Sequence, residues 1–191
     1  LVLSDWRELS FYLGPLIVQY KDTVSMIHQL LSFATELCDS AAQGDMQTSL
    51  GAHGLIQNIL SVLKYYLEST KRLGSCDVAN LEEKDSYLIA FEGCGRCLVA
   101  MLENHDDNKH RFLEAGGGQV LADLLDHLLI QPVSTSQRVA DYTEKEGAVI
   151  LTSVSRMLLV LLLTDGPIQQ DQESGNTSNP HQCRDLLHEL D

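Results

Sequence analysis

Cys94-Gly95-Arg96-Cys97 is the spacing at which one helical turn brings two thiols together, a pair that can exchange a disulfide or form half of a zinc site. Zinc needs a second pair, and none lies at a suitable distance; redox exchange of the common kind needs a strand–helix–strand context, which the surrounding sequence lacks. Small, readily buried thiols flanked by Gly93 and Gly95 instead suit a close approach of helices. His105-Asp106-Asp107-Asn108-Lys109-His110 offers oxygen and imidazole ligands, but without an i, i+4 pair that would close a coordination shell. It reads as a turn, with Asp106 or Asp107 capping the next helix and Asn108 tying the turn through backbone hydrogen bonds. His181, Cys183 and His188 belong to a polar tail on the same reading. Gly116-Gly117-Gly118 precedes a helix like a phosphate loop, yet no strand comes before it and no Lys-Ser/Thr after it. Ser153 and Ser155 lie on an apolar helix with no nucleophile elbow. The expectation is a protein that is not an enzyme and uses no metal and no cofactor.

The elements that carry these residues have helical period throughout: apolar residues recur three and four apart, and no strict alternation is long enough for a strand. The class is all-α. A first helix is expected from Ser4 to Leu13, broken at Gly14-Pro15, and a further one from about Lys21, with Met26, Ile27, Leu30, Phe33, Ala34 and Leu37 as its apolar stripe. A short helix ends at Leu50, Gly51 and Gly54 turn the chain, and Leu55, Ile56, Ile59, Leu60 and Leu63 mark the next helix. After a loop over 73–84, whose Glu82 and Glu83 with Asp85 suit a helix start, Leu88, Ile89, Phe91, Leu98, Val99 and Leu102 mark another. His110 to Ala115 is short; Val120, Leu121, Leu124, Leu125 and Leu128 follow; a long helix after Ala140 reaches Leu163 with an interruption at Gly147, and Gly166-Pro167 stops it. Tyr65, Tyr66, Trp6, Phe11 and Tyr12 read as core or as an aromatic contact patch.

Composition narrows the function. Thirteen Lys and Arg against 27 Asp and Glu give a net charge of −14, which opposes binding of phosphate backbones and anionic lipid. Met157 to Leu163 is the most apolar stretch and is too short to span a bilayer. Five cysteines without framework spacing suit reduced thiols in a cytoplasmic or nuclear setting. The start at Leu1 suits a piece of a longer protein.

Sliding the chain along itself until Val24 falls on Ile89 also superposes Phe33 on Leu98, Leu37 on Leu102, Leu55 on Val120 and Leu60 on Leu125. The stretch 97–125, CLVAMLENHDDNKHRFLEAGGGQVLADLL, places Leu102, Asn108, Phe112, Glu114, Ala115, Gly116, Leu121, Leu124 and Leu125 where the armadillo repeat wants them, and this segment resembles that family. The segment Phe33 to Leu63 is a weaker copy. The resemblance implies a right-handed α-solenoid over 1–166, with leading helices at 4–39 and repeats at about 43–103 and 107–165. A flexible polar linker over 167–180 and a short amphipathic helical tail over 181–191 follow. Third helices of such solenoids line a groove, and the matching positions are Ser32, Glu36, Cys97 and Met101. The Asn that grips extended peptides in the transport members is replaced by Glu36 and Met101, which points to helix docking or a flat interface. The implied function is a protein–protein interaction scaffold for a partner's helical or basic segment, without direct nucleic-acid or membrane binding. The alternative is a regulatory domain that receives a small GTPase or its own C-terminal helix, the tail with Leu186, Leu187 and Leu190.

Overall fold

The computed structural model describes residues 3–39, 43–72, 81–129 and 137–163. Among them are eight α-helices and no strand: α1 (Leu3–Gln19), α2 (Val24–Cys38), α3 (Gln43–Ala52), α4 (Leu55–Arg72), α5 (Leu81–Leu102), α6 (Asp106–Glu114), α7 (Gly117–Leu129) and α8 (Gln137–Leu162). The all-α class expected from the apolar spacing is therefore observed, while the linker and tail expected at 167–191 lie outside the described residues.

Two breaks expected from the sequence are absent. α1 runs through Gly14-Pro15; proline removes only one backbone bond, to the Phe11 carbonyl, and the helix is held along its length by α4. Gly14 serves that contact, since a Cβ there would fall 2.3 Å from Asn58 Nδ2. α8 likewise continues past Gly147 to Leu162. On α2 the buried face is Ile27, Leu31, Ala34, Leu37 and Cys38, and Met26 points outward.

Packing sorts the helices into rows. α2, α5 and α8 lie side by side with α5 in the middle; α1, α4 and α7 form a second row; α3 and α6 form a short third one. Elements three apart in the chain are thus neighbours in space. α5 approaches both flanking helices through glycines: a Cβ on Gly93 would lie 3.2 Å from Leu31 Cδ1 of α2, and one on Gly95 would lie 3.0 Å from Ser153 of α8. Cys94 and Cys97, with Cys38 of α2, are fully buried in this row.

Hydrogen bonds repeat in the same order. Gln47 of α3 donates from Nε2 to the carbonyls of Ala100 and Glu103 at the end of α5, at 2.6 and 3.0 Å. Lys109 of α6 donates from Nζ to the Leu163 carbonyl at the end of α8, at 2.5 Å. Carbonyls left over at a helix C-terminus need such partners. The interval from Gln47 to Lys109 equals that from Gly54 to Gly116, the two glycines of positive φ that turn α3 into α4 and α6 into α7. This common interval is shorter by three than the one that sets Val24 on Ile89. A shift of three keeps most of a helix's apolar face in phase, which is why the longer offset also matched apolar residues.

Candidate functional site

Of the four positions transferred from the third-helix pattern, the structure brings two to a surface. Ser32 and Glu36 of α2 line an open pocket of ≈ 210 Å³ together with Thr35 of α2 and Gly93 and Arg96 of α5. Cys97 and Met101 are fully buried, so neither can touch a partner docked on the folded domain. The cause is register. The apolar match pairs Leu37 with Leu102, whereas α2 and α5 end at Cys38 and Leu102. Aligned by their ends, the helices set Ser32 opposite Arg96 and not Cys97. One residue turns a helical side chain by about 100°, enough to carry it from surface to core.

Arg96 also borders a second pocket, of ≈ 250 Å³, lined by Glu92 and Val99 of α5 and by Val149, Thr152 and Arg156 of α8. The two hollows meet at Arg96, so α2, α5 and α8 present one face with a trough on each side of the middle helix. Spacing explains how the helices build it. Ser32 and Glu36, Glu92 and Arg96, and Thr152 and Arg156 are i, i+4 pairs, each on one stripe of its helix. Arg96 and Arg156 take part in no salt bridge among the described residues, and both are exposed. The floor is small or apolar, and four charges, Glu36, Glu92, Arg96 and Arg156, stand around it. Glu92, Arg96, Thr152 and Arg156 were missed in the sequence because nothing but the correct register separates them from their neighbours.

The residues that suggested chemistry are arranged otherwise. Burial pushes the thiols of Cys94 and Cys97 upward, and that of Cys38 up to about 12 with Asp39 adding to the effect. A nucleophilic or redox-active cysteine needs the opposite, a depressed pKa and access. Among the described residues no group of three or more His, Cys, Asp and Glu could hold a metal ion. In the 105–110 turn, the cap is His105 rather than either aspartate. Its Nδ1 accepts from the Asn108 N–H at 3.2 Å, which leaves Nε2 to donate to Thr48 Oγ1 at 2.8 Å, and Thr48 donates on to the Gly44 carbonyl. Asn108 is a fully buried tie between elements: Nδ2 donates to the carbonyls of Gln47 and Met101, and Oδ1 accepts from Arg111.

The aromatic residues divide. Tyr66 is core, its hydroxyl donating to the Lys21 carbonyl at 2.7 Å, and burial drives its pKa up. Phe11 and Tyr12 are exposed, with the Phe11 ring edge-on to His53; the side chain of Trp6 lies outside the described residues. No helix among the described residues is long and apolar enough to cross a membrane. Comparison with family models, with curated proteins and with solved structures finds no match for this chain. The site and the helix rows therefore stand on the chain's own geometry.

Proposed function

We propose that this chain is a non-enzymatic protein-interaction scaffold, built as an armadillo-like right-handed α-solenoid, that takes a helical segment of a partner protein on the α2–α5–α8 face. The observation that carries the reading is the pair of pockets meeting at Arg96, on the face made by the third helix of each unit. Three further features support it. Helices three apart pack as successive layers, as stacked repeats do. Gln47 and Lys109 perform the same capping task one unit apart. The troughs are open, lie between neighbouring helices and are rimmed by charges of both signs, a surface on which side chains of a docked helix could seat. Glu36 and Glu92 would meet basic residues of the segment, and the net charge of −14 would steer a basic partner toward the domain. Its working place on this reading is the cytoplasm or nucleus, where the buried thiols stay reduced.

Selection of helical peptides from a display library, followed by titration against the wild type and a Glu36→Lys/Arg96→Glu variant, tests the assignment. Both substitutions change exposed side chains, so circular dichroism should be unchanged. Binding weakened tenfold or more by the variant supports the face. Peptides that bind both proteins equally would place docking elsewhere and overturn it.

A further inference from the structure

α8 has two apolar faces. Ile150, Val154 and Met157 are buried in the core, whereas Leu151, Leu158, Leu159 and Leu162 are exposed on an adjoining side, centred about 110° further round the helix. An α-helix apolar on both sides is normally covered on both, as α5 is by α2 and α8. On α7, Leu125 and Leu129 are exposed as well, and Leu129 and Leu162 reach 82% and 78% exposure. α7 and α8 are the last described members of their rows, and each ends its row with exposed leucines, Leu125 and Leu129 on α7 and a leucine flank on α8.

The sequence supplies an occupant. The stretch 185–190 reads Asp-Leu-Leu-His-Glu-Leu, and 123–128 of α7 reads Asp-Leu-Leu-Asp-His-Leu. The interval between them is the one that relates Gly54 to Gly116 and Gln47 to Lys109. We propose that residues 181–191 close this end as an amphipathic helix, taking the place beside α7 that α7 takes beside α4, with Leu186, Leu187 and Leu190 turned toward Leu125 and Leu129 of α7. The chain can make the connection. Residues 103–116 carry it from α5 to α7, and residues 164–180 are available for the equivalent passage, spanning up to about 55 Å if extended. Tethering holds the segment at an effective concentration of order mM. A second copy would have to compete against that while overcoming repulsion between two chains of charge −14. The inference uses the observed rows and the interval between the two glycine turns, and does not depend on the groove.

Hydrogen–deuterium exchange on the full chain, read over 183–190, is the test. Amide exchange should be at least tenfold slower than in a free peptide of the same sequence, unchanged on hundredfold dilution. In a Leu125→Asp/Leu129→Asp variant with wild-type circular dichroism it should return to within about twofold of the peptide. Leu186→Asp/Leu190→Asp, which alters only the segment, should have the same effect and covers the case in which the first variant fails to fold. Exchange as fast as in the free peptide overturns the proposal. So does protection lost on dilution, which would make the occupant a second copy, and so does protection that survives both variants.

Discussion

Asn108 shows how one side chain can hold three elements. It is fully buried, its amide donates to carbonyls of α3 and α5, and its oxygen accepts from Arg111 on α6. Gly51 makes room for it, since a Cβ there would fall 1.9 Å from Oδ1. Asn108→Ala should lower the unfolding free energy by about 2–4 kcal/mol, because two buried carbonyls lose their donor. Asn108→Asp should cost more, as a carboxylate oxygen would then face those carbonyls; urea denaturation ranks the two. The thiols give a pH signature. Cys38, Cys94 and Cys97 all have raised pKa values in the folded state, so folding favours the protonated forms. The associated stability is complete below the ordinary thiol pKa near 9.0 and is lost as pH climbs from there toward the folded values. Each thiol contributes a slope of up to about 1.4 kcal/mol per pH unit. Stability should be flat from pH 7 to about 8.5 and fall above 9, with a shallower fall in Cys38→Ala. A steep loss below pH 8 would contradict the burial.

At the scale of the helix, small residues decide how closely neighbours pack. Gly117 opens α7 directly over the Phe112 ring of α6, and a Cβ there would lie 2.3 Å from Cε1. Phe112 is fully buried and has no room to swing away. Gly117→Ala should therefore cost about 1–3 kcal/mol, whereas Gly118→Ala, where nothing lies within 4 Å, should be neutral or slightly stabilising. Thermal denaturation of the pair separates packing from glycine propensity. Helix spacing was the part of this fold legible in sequence: the apolar residues three and four apart mark α2, α4, α5 and α7, and the glycine turns mark where α3 and α6 end. Length was misread at Pro15 and Gly147, because local breakers are overruled when a long neighbour packs along the helix. The groove was half legible. Ser32 and Glu36 line it, but Cys97 and Met101 come from an offset one position longer than the one that aligns the ends of α2 and α5, and one residue turns a side chain by about 100°, from surface to core. Hydrogen bonds such as those from Gln47 and Lys109, invisible in sequence, mark the interval that the glycine turns share, which is shorter again.

Across the whole molecule, stability should follow position in the rows rather than position in the chain. α5 has α2 on one side, α8 on the other and α4 beneath, and it is buried except along the stripe that carries Ile89, Glu92 and Arg96. α1 lies at the start of its row, and α8 keeps an exposed apolar flank. In stacked architectures each unit is stabilised by its neighbours, so central elements open only with global unfolding while terminal ones open locally. Native-state hydrogen exchange in rising urea should find the slowest amides in α4 and α5, at the global unfolding free energy. Amides of α1 and of the last turns of α8 should exchange at values lower by about 1–3 kcal/mol and with little urea dependence. Breaking the Gln47 bonds with Gln47→Ala, which frees the Ala100 and Glu103 carbonyls, should lower the centre, because the cap joins α3 to the end of α5. Breaking the Lys109 bond with Lys109→Met should loosen the end of α8 and leave α5 at the global value. A single free energy for all eight described helices in the wild type, with both cap variants lowering it uniformly, would show one indivisible cooperative unit and would remove the layered account of this domain.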